Sequence, residues 1–151
     1  MENSMLNRAF LPLLIAVSFA TTAKANTHLP SADDIRQMAQ ELSLTDLDVH
    51  PDEKGSDATG TLPSGTRVEL DLHRNGKLDK IEARGHQTMP LADLMPLMPT
   101  QFSAPSLTPQ SPITKLEFDD DHLEIEGRTG DGQEFKAEFS ASGRLLEWKQ
   151  D

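Results

Sequence analysis

Asn75-Gly76 sits between two runs that each mix apolar and charged residues. Before it, Val68, Leu70 and Leu72 alternate with Arg67, Glu69, Asp71 and His73 over Thr66–His73; after it, Lys77–Arg84 carries Leu78 and Ile81. An Asn-Gly pair readily supplies the two positive-φ positions of a tight hairpin turn. This stretch therefore predicts an antiparallel hairpin with one buried face. Other segments read the same way. Leu47 and Val49 alternate with Asp48 and His50, and a loop of Pro, Asp, Lys and Gly follows. Ile113–Phe118, His122–Arg128, Glu134–Ser140 and Arg144–Lys149 are strand-like and are separated by Asp, Gly or Ser. Ser31–Leu42 predicts a helix, with Ser31 as its cap, Asp33 and Asp34 in its first turn, and Ile35, Met38, Ala39 and Leu42 on one face.

The two strand-rich halves look like repeats. Shifted by 67 positions, Gly60, Gly65 and Gly76 fall on Gly127, Gly132 and Gly143, and Val68, Leu72, Leu78 and Ile81 fall on Phe135, Phe139, Leu145 and Trp148. The correspondence spans 47–82 against 114–149 and does not extend to the helices. Between the halves, Met89–Pro99 is rich in Met, Leu and Pro. Thr100–Pro112 has the composition of a linker. The expected organisation is 1–25 as a signal peptide, 26–86 as a first helix-plus-sheet half, 87–112 as a Met/Pro-rich segment and linker, and 113–151 as a second half.

The signal peptide rests on the apolar run Ala9–Ala20 and on Ala23-Lys24-Ala25, which places small residues where a signal peptidase reads them. The run is too short to span a bilayer as a helix, so no stable membrane insertion is expected after cleavage. A periplasmic or secreted location follows. The chain has no cysteine, which excludes disulfides, thiolate metal sites and a Cys nucleophile. Its net charge of −11 argues against a nucleic-acid partner.

Residues 113–149 run as strand, acidic turn (Asp119–Asp121), alternating strand, Asp131-Gly132 turn, alternating strand, Ser142-Gly143 turn and final strand. This pattern resembles the PepSY family of small exported or membrane-attached domains, some of which occur in peptidase propeptides. The first half resembles it more faintly. The family usually places a helix directly before its first strand, where this chain has the Pro-rich Thr100–Pro112. Tandem helix-plus-sheet units are also similar in shape to the beta-lactamase-inhibitor-protein fold. The resemblance implies a module that binds or restrains other proteins, peptidases among them, and it transfers no catalytic residues.

Read directly, the sequence contains no G-x-S-x-G, H-E-x-x-H, P-loop or G-x-G-x-x-G motif, so no enzyme activity and no cofactor are expected. Two segments offer metal ligands. Asp71, Asn75, Asp79 and Glu82 fall at positions 1, 5, 9 and 12 of a calcium-loop spacing, with Gly76 at 6 and Leu78 at 8. His73 stands where an oxygen ligand is wanted, and an ordinary hairpin accounts for the same residues. His86, Met89, Met95 and Met98 offer soft ligands for Cu(I), although Leu91, Leu94, Met95 and Met98 also lie at the spacing of a helix packed on a sheet. Asp119, Asp120, Asp121 and Glu124 form the densest acidic patch, a docking surface for a basic partner or simply a solvated sheet face.

The expectation is an α+β protein dominated by antiparallel sheet, with one or two short helices and two PepSY-like halves sharing a core or one continuous sheet. Val68, Leu70, Leu72, Leu78, Ile81, Leu116, Phe118, Leu123, Ile125, Phe135, Phe139, Leu145 and Trp148 are expected to face inward. The functional reading is a non-enzymatic exported module for a periplasmic or envelope protein or peptide, with modulation or inhibition of a peptidase as one such role. The alternative is a periplasmic protein that binds or senses Ca²⁺ or copper.

Overall fold

A computed structural model describes residues 32–51, 56–73 and 75–150. The signal-peptide segment and Ser31 lie outside the described residues. Helix α1 (Ala32–Glu41) is followed by strands β1 (Thr45–Pro51), β2 (Ser56–Thr61), β3 (Arg67–Leu72) and β4 (Leu78–Ala83). A two-residue strand β5 (Met89–Pro90), a one-turn helix α2 (Leu91–Leu94) and a 3-10 turn over Met95–Leu97 come next. Strands β6 (Pro112–Phe118), β7 (His122–Arg128), β8 (Glu134–Ser140) and β9 (Leu145–Gln150) complete the chain. The fold is α+β and mostly sheet. All strands join one antiparallel sheet in the order β1-β2-β3-β4-β6-β7-β8-β9, with β5 paired to β6.

The ladder registers line up residues in rows across this sheet. One row runs Val49, Ala58, Leu70, Ile81, Leu116, Ile125, Ala137, Trp148. It is the spine of the core, and Ala58, Ile81, Leu116, Ile125 and Ala137 are fully enclosed. Because side chains alternate faces along a strand, the adjacent rows point the other way. They are charged: His50, Asp57, Asp71, Lys80, Glu117, Glu124, Glu138, Glu147 in one, and Asp48, Thr59, Glu69, Glu82, Lys115, Glu126, Lys136, Lys149 in the next. Ile35 of α1 and Leu42 just after it, with Met89, Leu91 and Leu94, join the core on the apolar face. Two layers result, with the charged face of the sheet uncovered by any described element.

The offset of 67 also relates the ladders. Val49↔Ala58, Ala58↔Leu70 and Leu70↔Ile81 have counterparts Leu116↔Ile125, Ile125↔Ala137 and Ala137↔Trp148. The bulge between Asp71 and Leu72 recurs between Glu138 and Phe139. Turn bonds recur too: Gly65 N–H to Leu62 C=O corresponds to Gly132 N–H to Thr129 C=O.

Three expectations are corrected. The loop expected after β1 contains a strand, β2. Its sequence Ser-Asp-Ala-Thr-Gly-Thr lacks the large apolar residues that signal a strand, because it lies between two neighbours where only small side chains fit. Ala58 is fully buried, and a Cβ on Gly60 would stand 3.1 Å from the Leu44 side chain. Second, Thr100–Pro112, linker-like in composition, packs on the sheet: Ser111 C=O accepts from Leu91 N–H, Pro112 opens β6, and the Phe102 ring lies 5.0 Å from that of Phe139. Scattered apolar residues bury onto the sheet even where Pro96 and Pro99 prevent a longer helix. Third, Phe118, Leu145 and Trp148 are half-buried at the margin of the core, while the other residues expected inside are buried.

Candidate functional site

The charged face is the surface on which this chain presents chemistry. Its most enclosed charged group is Glu124, only 8% exposed. Lys115 Nζ donates to Glu124 Oε1 at 3.2 Å, to Glu117 at 2.9 Å and to Glu126 at 2.9 Å, and Lys136 Nζ donates to Glu124 Oε2 at 2.5 Å. The strands dictate the cluster. Glu117 faces Glu124 and Lys115 faces Glu126 across β6 and β7, and Glu126 faces Lys136 across β7 and β8. Burial alone would lower the pKa of Lys115. Hydrogen bonds to Glu126, Glu117 and Glu124 outweigh it and hold the ammonium well above its ordinary value. Burial alone would raise Glu124, and its bonds to Lys136 and Lys115 hold it below the usual carboxylate range. Glu124 is thus paired within the face with two lysines, whereas Asp119, Asp120 and Asp121 stand on the turn.

Asp119, Asp120 and Asp121 form the exposed β6–β7 turn. Asp119 N–H bonds to His122 C=O at 2.9 Å, closing the turn. The His122 ring lies between two carboxylates, with Nε2 3.0 Å from Asp119 and Nδ1 2.9 Å from Asp121. Only the imidazolium donates from both nitrogens, so this arrangement favours it. Its hydrogen bond to Asp121 raises the His122 pKa, and the same bond lowers that of Asp121.

The four proposed calcium ligands are engaged by other partners. Asp71 accepts from Lys80 at 2.9 Å, and Lys80 reaches Glu82 at 3.4 Å. Asp79 holds His73 at 3.0 Å, and Asn75 Oδ1 accepts from Lys77 N–H at 3.0 Å, an ordinary turn bond. They are not brought together, and among the described residues no group of three or more His, Asp or Glu is placed to hold a metal ion. The hairpin spacing followed twelve positions along the chain, but two extended strands splay what a compact loop would gather. The copper set divides as well: Met89 is fully buried, Met98 packs on the core, and Met95 and His86 are exposed.

What the sequence reading missed is the row structure. Lys115, Glu117 and Lys136 were not singled out, because their convergence depends on the pairing of β6 with β7 and β7 with β8. Beside this cluster a cleft of about 700 Å³ opens where the two halves meet, lined by residues including Glu69, Glu82, Arg84, Glu126, Lys136 and Lys149.

No family model matches the chain, and no curated protein matches it. Among solved structures, the chain is similar to a candidate periplasmic protein of unknown function from Bacteroides vulgatus, at 17% identity over 80% of this chain and 91% of that one, with a TM-score of 0.47. It is also similar to a candidate calcium-regulated periplasmic protein from Bacteroides thetaiotaomicron, at 18% identity over 82% of this chain and 91% of that one, with a TM-score of 0.40.

Proposed function

We propose that this chain is an exported, non-catalytic module that binds another protein or an extended peptide on the charged face of its sheet, and that restraint of an envelope peptidase is one use of that binding. One observation carries the reading. The uncovered face bears a row in which Asp57, Asp71, Glu117, Glu124, Glu138 and Glu147 stand with one lysine and one histidine, and lysines of the adjacent row pair with Glu117, Glu124 and Glu147. Such a row suits a basic partner, steered by charge and weakened by salt. The cleft supports the same reading. Its volume falls within the range of small-molecule sites, but those are lined mainly by apolar groups, whereas charges of both signs line this one. Three described histidines, His50, His73 and His122, sit against carboxylates. The segment Ala9–Ala25 supports a periplasmic location, and among the described residues no helix is long and apolar enough to cross a membrane.

Capture from an envelope extract tests this. The protein is immobilised at low salt beside a Glu138→Lys/Glu147→Lys variant and an Asp119→Lys/Asp121→Lys variant, and captured proteins are assayed for peptidase activity with and without it. The expected result is one dominant partner, released by salt and lost on the first variant. Binding that ignores both salt and charge reversal, or stoichiometric metal with no partner, overturns the reading.

A further inference from the structure

We propose that this protein associates head to tail with copies of itself, β9 of one molecule adding to β1 of the next and extending the sheet. Among the described residues, β1 and β9 are the two ends of the strand order, each paired with one strand only; Ser103 bridges Arg144 just before β9 and leaves the positions from Glu147 to Lys149 beyond it. A strand with an open side offers backbone donors and acceptors to another strand.

The inner seam of the molecule shows what fits there. At the junction of the halves, β4 and β6 pair over three positions: Lys80↔Glu117, Ile81↔Leu116 and Glu82↔Lys115. The 67-residue correspondence makes β9 the equivalent of β4, and β1 the equivalent of β6. Moving the seam along that correspondence sets Glu147 against His50, Trp148 against Val49 and Lys149 against Asp48 of the next copy. An apolar pair again stands at the centre. The flanking pairs again combine an acid with a base, although the signs are exchanged. Trp148 and Val49 are both half-buried within one molecule, so each leaves apolar surface for the other to cover.

The outer strands also carry their charges as the inner ones do. Within β6, Lys115 bonds Glu117 at 2.9 Å, and within β4, Lys80 lies 3.4 Å from Glu82. At the same places, Asp48 lies 3.2 Å from His50, and Lys149 bonds Glu147 at 2.8 Å. The inner seam forms with such in-strand pairs intact, so the outer one requires no ion pair to break. The contact joins two different surfaces, so it propagates into a ring or an open chain instead of stopping at a dimer. Three paired positions make a small interface, and the association is accordingly weak and concentration-dependent.

Sedimentation velocity on protein purified from the periplasm, with no extract present, tests this independently of any envelope partner. The expected result is a sedimentation coefficient that rises with concentration. Lys149→Glu alone sets two acids across the seam, and Asp48→Lys alone sets two bases. Each variant should remain at the monomer value with an unchanged circular dichroism spectrum. An equal mixture of the two restores unlike charges at alternate seams while the other seams keep the native pair, so association should return. If either variant fails to fold, Glu147→Lys and His50→Glu give the same design at the neighbouring position. A wild-type protein that stays monomeric at every concentration, association that persists in the single variants, or a mixture that remains monomeric overturns the proposal.

Discussion

The indole of Trp148 lies flat on the ring of Phe135, with centroids 4.5 Å apart and planes 10° from parallel. The two residues are not directly opposite: Trp148 faces Ala137, and Phe135 faces Gln150. The stack is therefore diagonal, and the small side chain of Ala137 leaves the indole room to lean across. It ties the edge strand β9 to the core, which matters because little else large on β9 is buried; Leu146 is 53% exposed. Phe135→Ala is expected to cost about 3 kcal/mol. Trp148 is the chain's only tryptophan, so its emission should shift to the red in that variant before any denaturant is added. Urea melts followed by fluorescence measure both effects. Unchanged emission would mean that the stack does not hold the indole.

The Lys115 cluster predicts a pH-dependent stability difference. Lys115→Met leaves Glu124 paired with Lys136 and removes the ammonium that Glu117 and Glu126 share. At neutral pH the loss should be about 3 kcal/mol, as for a buried pair stripped of one partner. Glu124 has a lowered folded pKa, so its contribution is present above its unfolded value near 4.5 and is lost as pH falls through the folded value. The difference between wild type and variant should therefore narrow in acid. Denaturation at neutral and at low pH measures it, and a constant difference would exclude the electrostatic explanation.

Alternation made most of the core legible, since Val68, Leu70, Leu72, Leu123, Ile125, Phe135 and Phe139 declare a buried face at period two and are all buried. Strand β2 was not legible. Its burial is achieved with Ala58 and Gly60, and small residues carry no periodic signal. The packing of Phe102 was hidden for a different reason: an apolar residue within a Ser/Pro-rich stretch gives no period at all. The acidic turn Asp119–Asp121 could be read from composition, but Glu124 could not be separated from it. On one strand, Glu124 and Glu126 look alike, and only the neighbouring strands decide that two lysines converge on the first.

Gly132 and Gly143 share a backbone conformation, with φ of +87° and +94°, but differ in surroundings. A Cβ on Gly132 would meet nothing within 4 Å, whereas one on Gly143 would stand 2.6 Å from the backbone of Phe102. Gly132→Ala is expected to cost about 1 kcal/mol, the left-handed penalty alone. Gly143→Ala should cost at least about 2 kcal/mol, because the segment around Phe102 must also move. Equal melting-temperature losses would show that this segment yields freely.

Calcium should leave the melting temperature unchanged. Binding at Asp71 and Asp79 would have to displace the Lys80 ammonium and the His73 ring from those carboxylates. A ligand at 100 times its dissociation constant adds about 2.7 kcal/mol, a shift that calorimetry detects readily. A rise of that size in millimolar Ca²⁺, reversed by EDTA and abolished by Asp71→Ala, would establish the metal-binding alternative.

His122 should titrate above the ordinary histidine range, and the order of its neighbours' effects can be stated. Its hydrogen bond to Asp121 is the largest cause of the raised pKa, and the charge of Asp119 adds to it. Asp121→Asn should therefore lower the His122 pKa more than Asp119→Asn does, as read from ring-proton shifts in NMR titrations. Because the folded pKa is raised, the stabilisation of this turn is complete below the unfolded value and is lost as pH rises through the folded one. The same step changes the surface. Once the imidazolium loses its proton, Asp119 and Asp121 lose their internal counter-ion, and the turn presents its full negative charge. If the captured partner docks near this turn, its affinity should increase as pH rises through the His122 pKa, and His122→Gln should abolish that dependence. A partner bound with the same affinity on both sides of the transition would place the docking surface away from the turn.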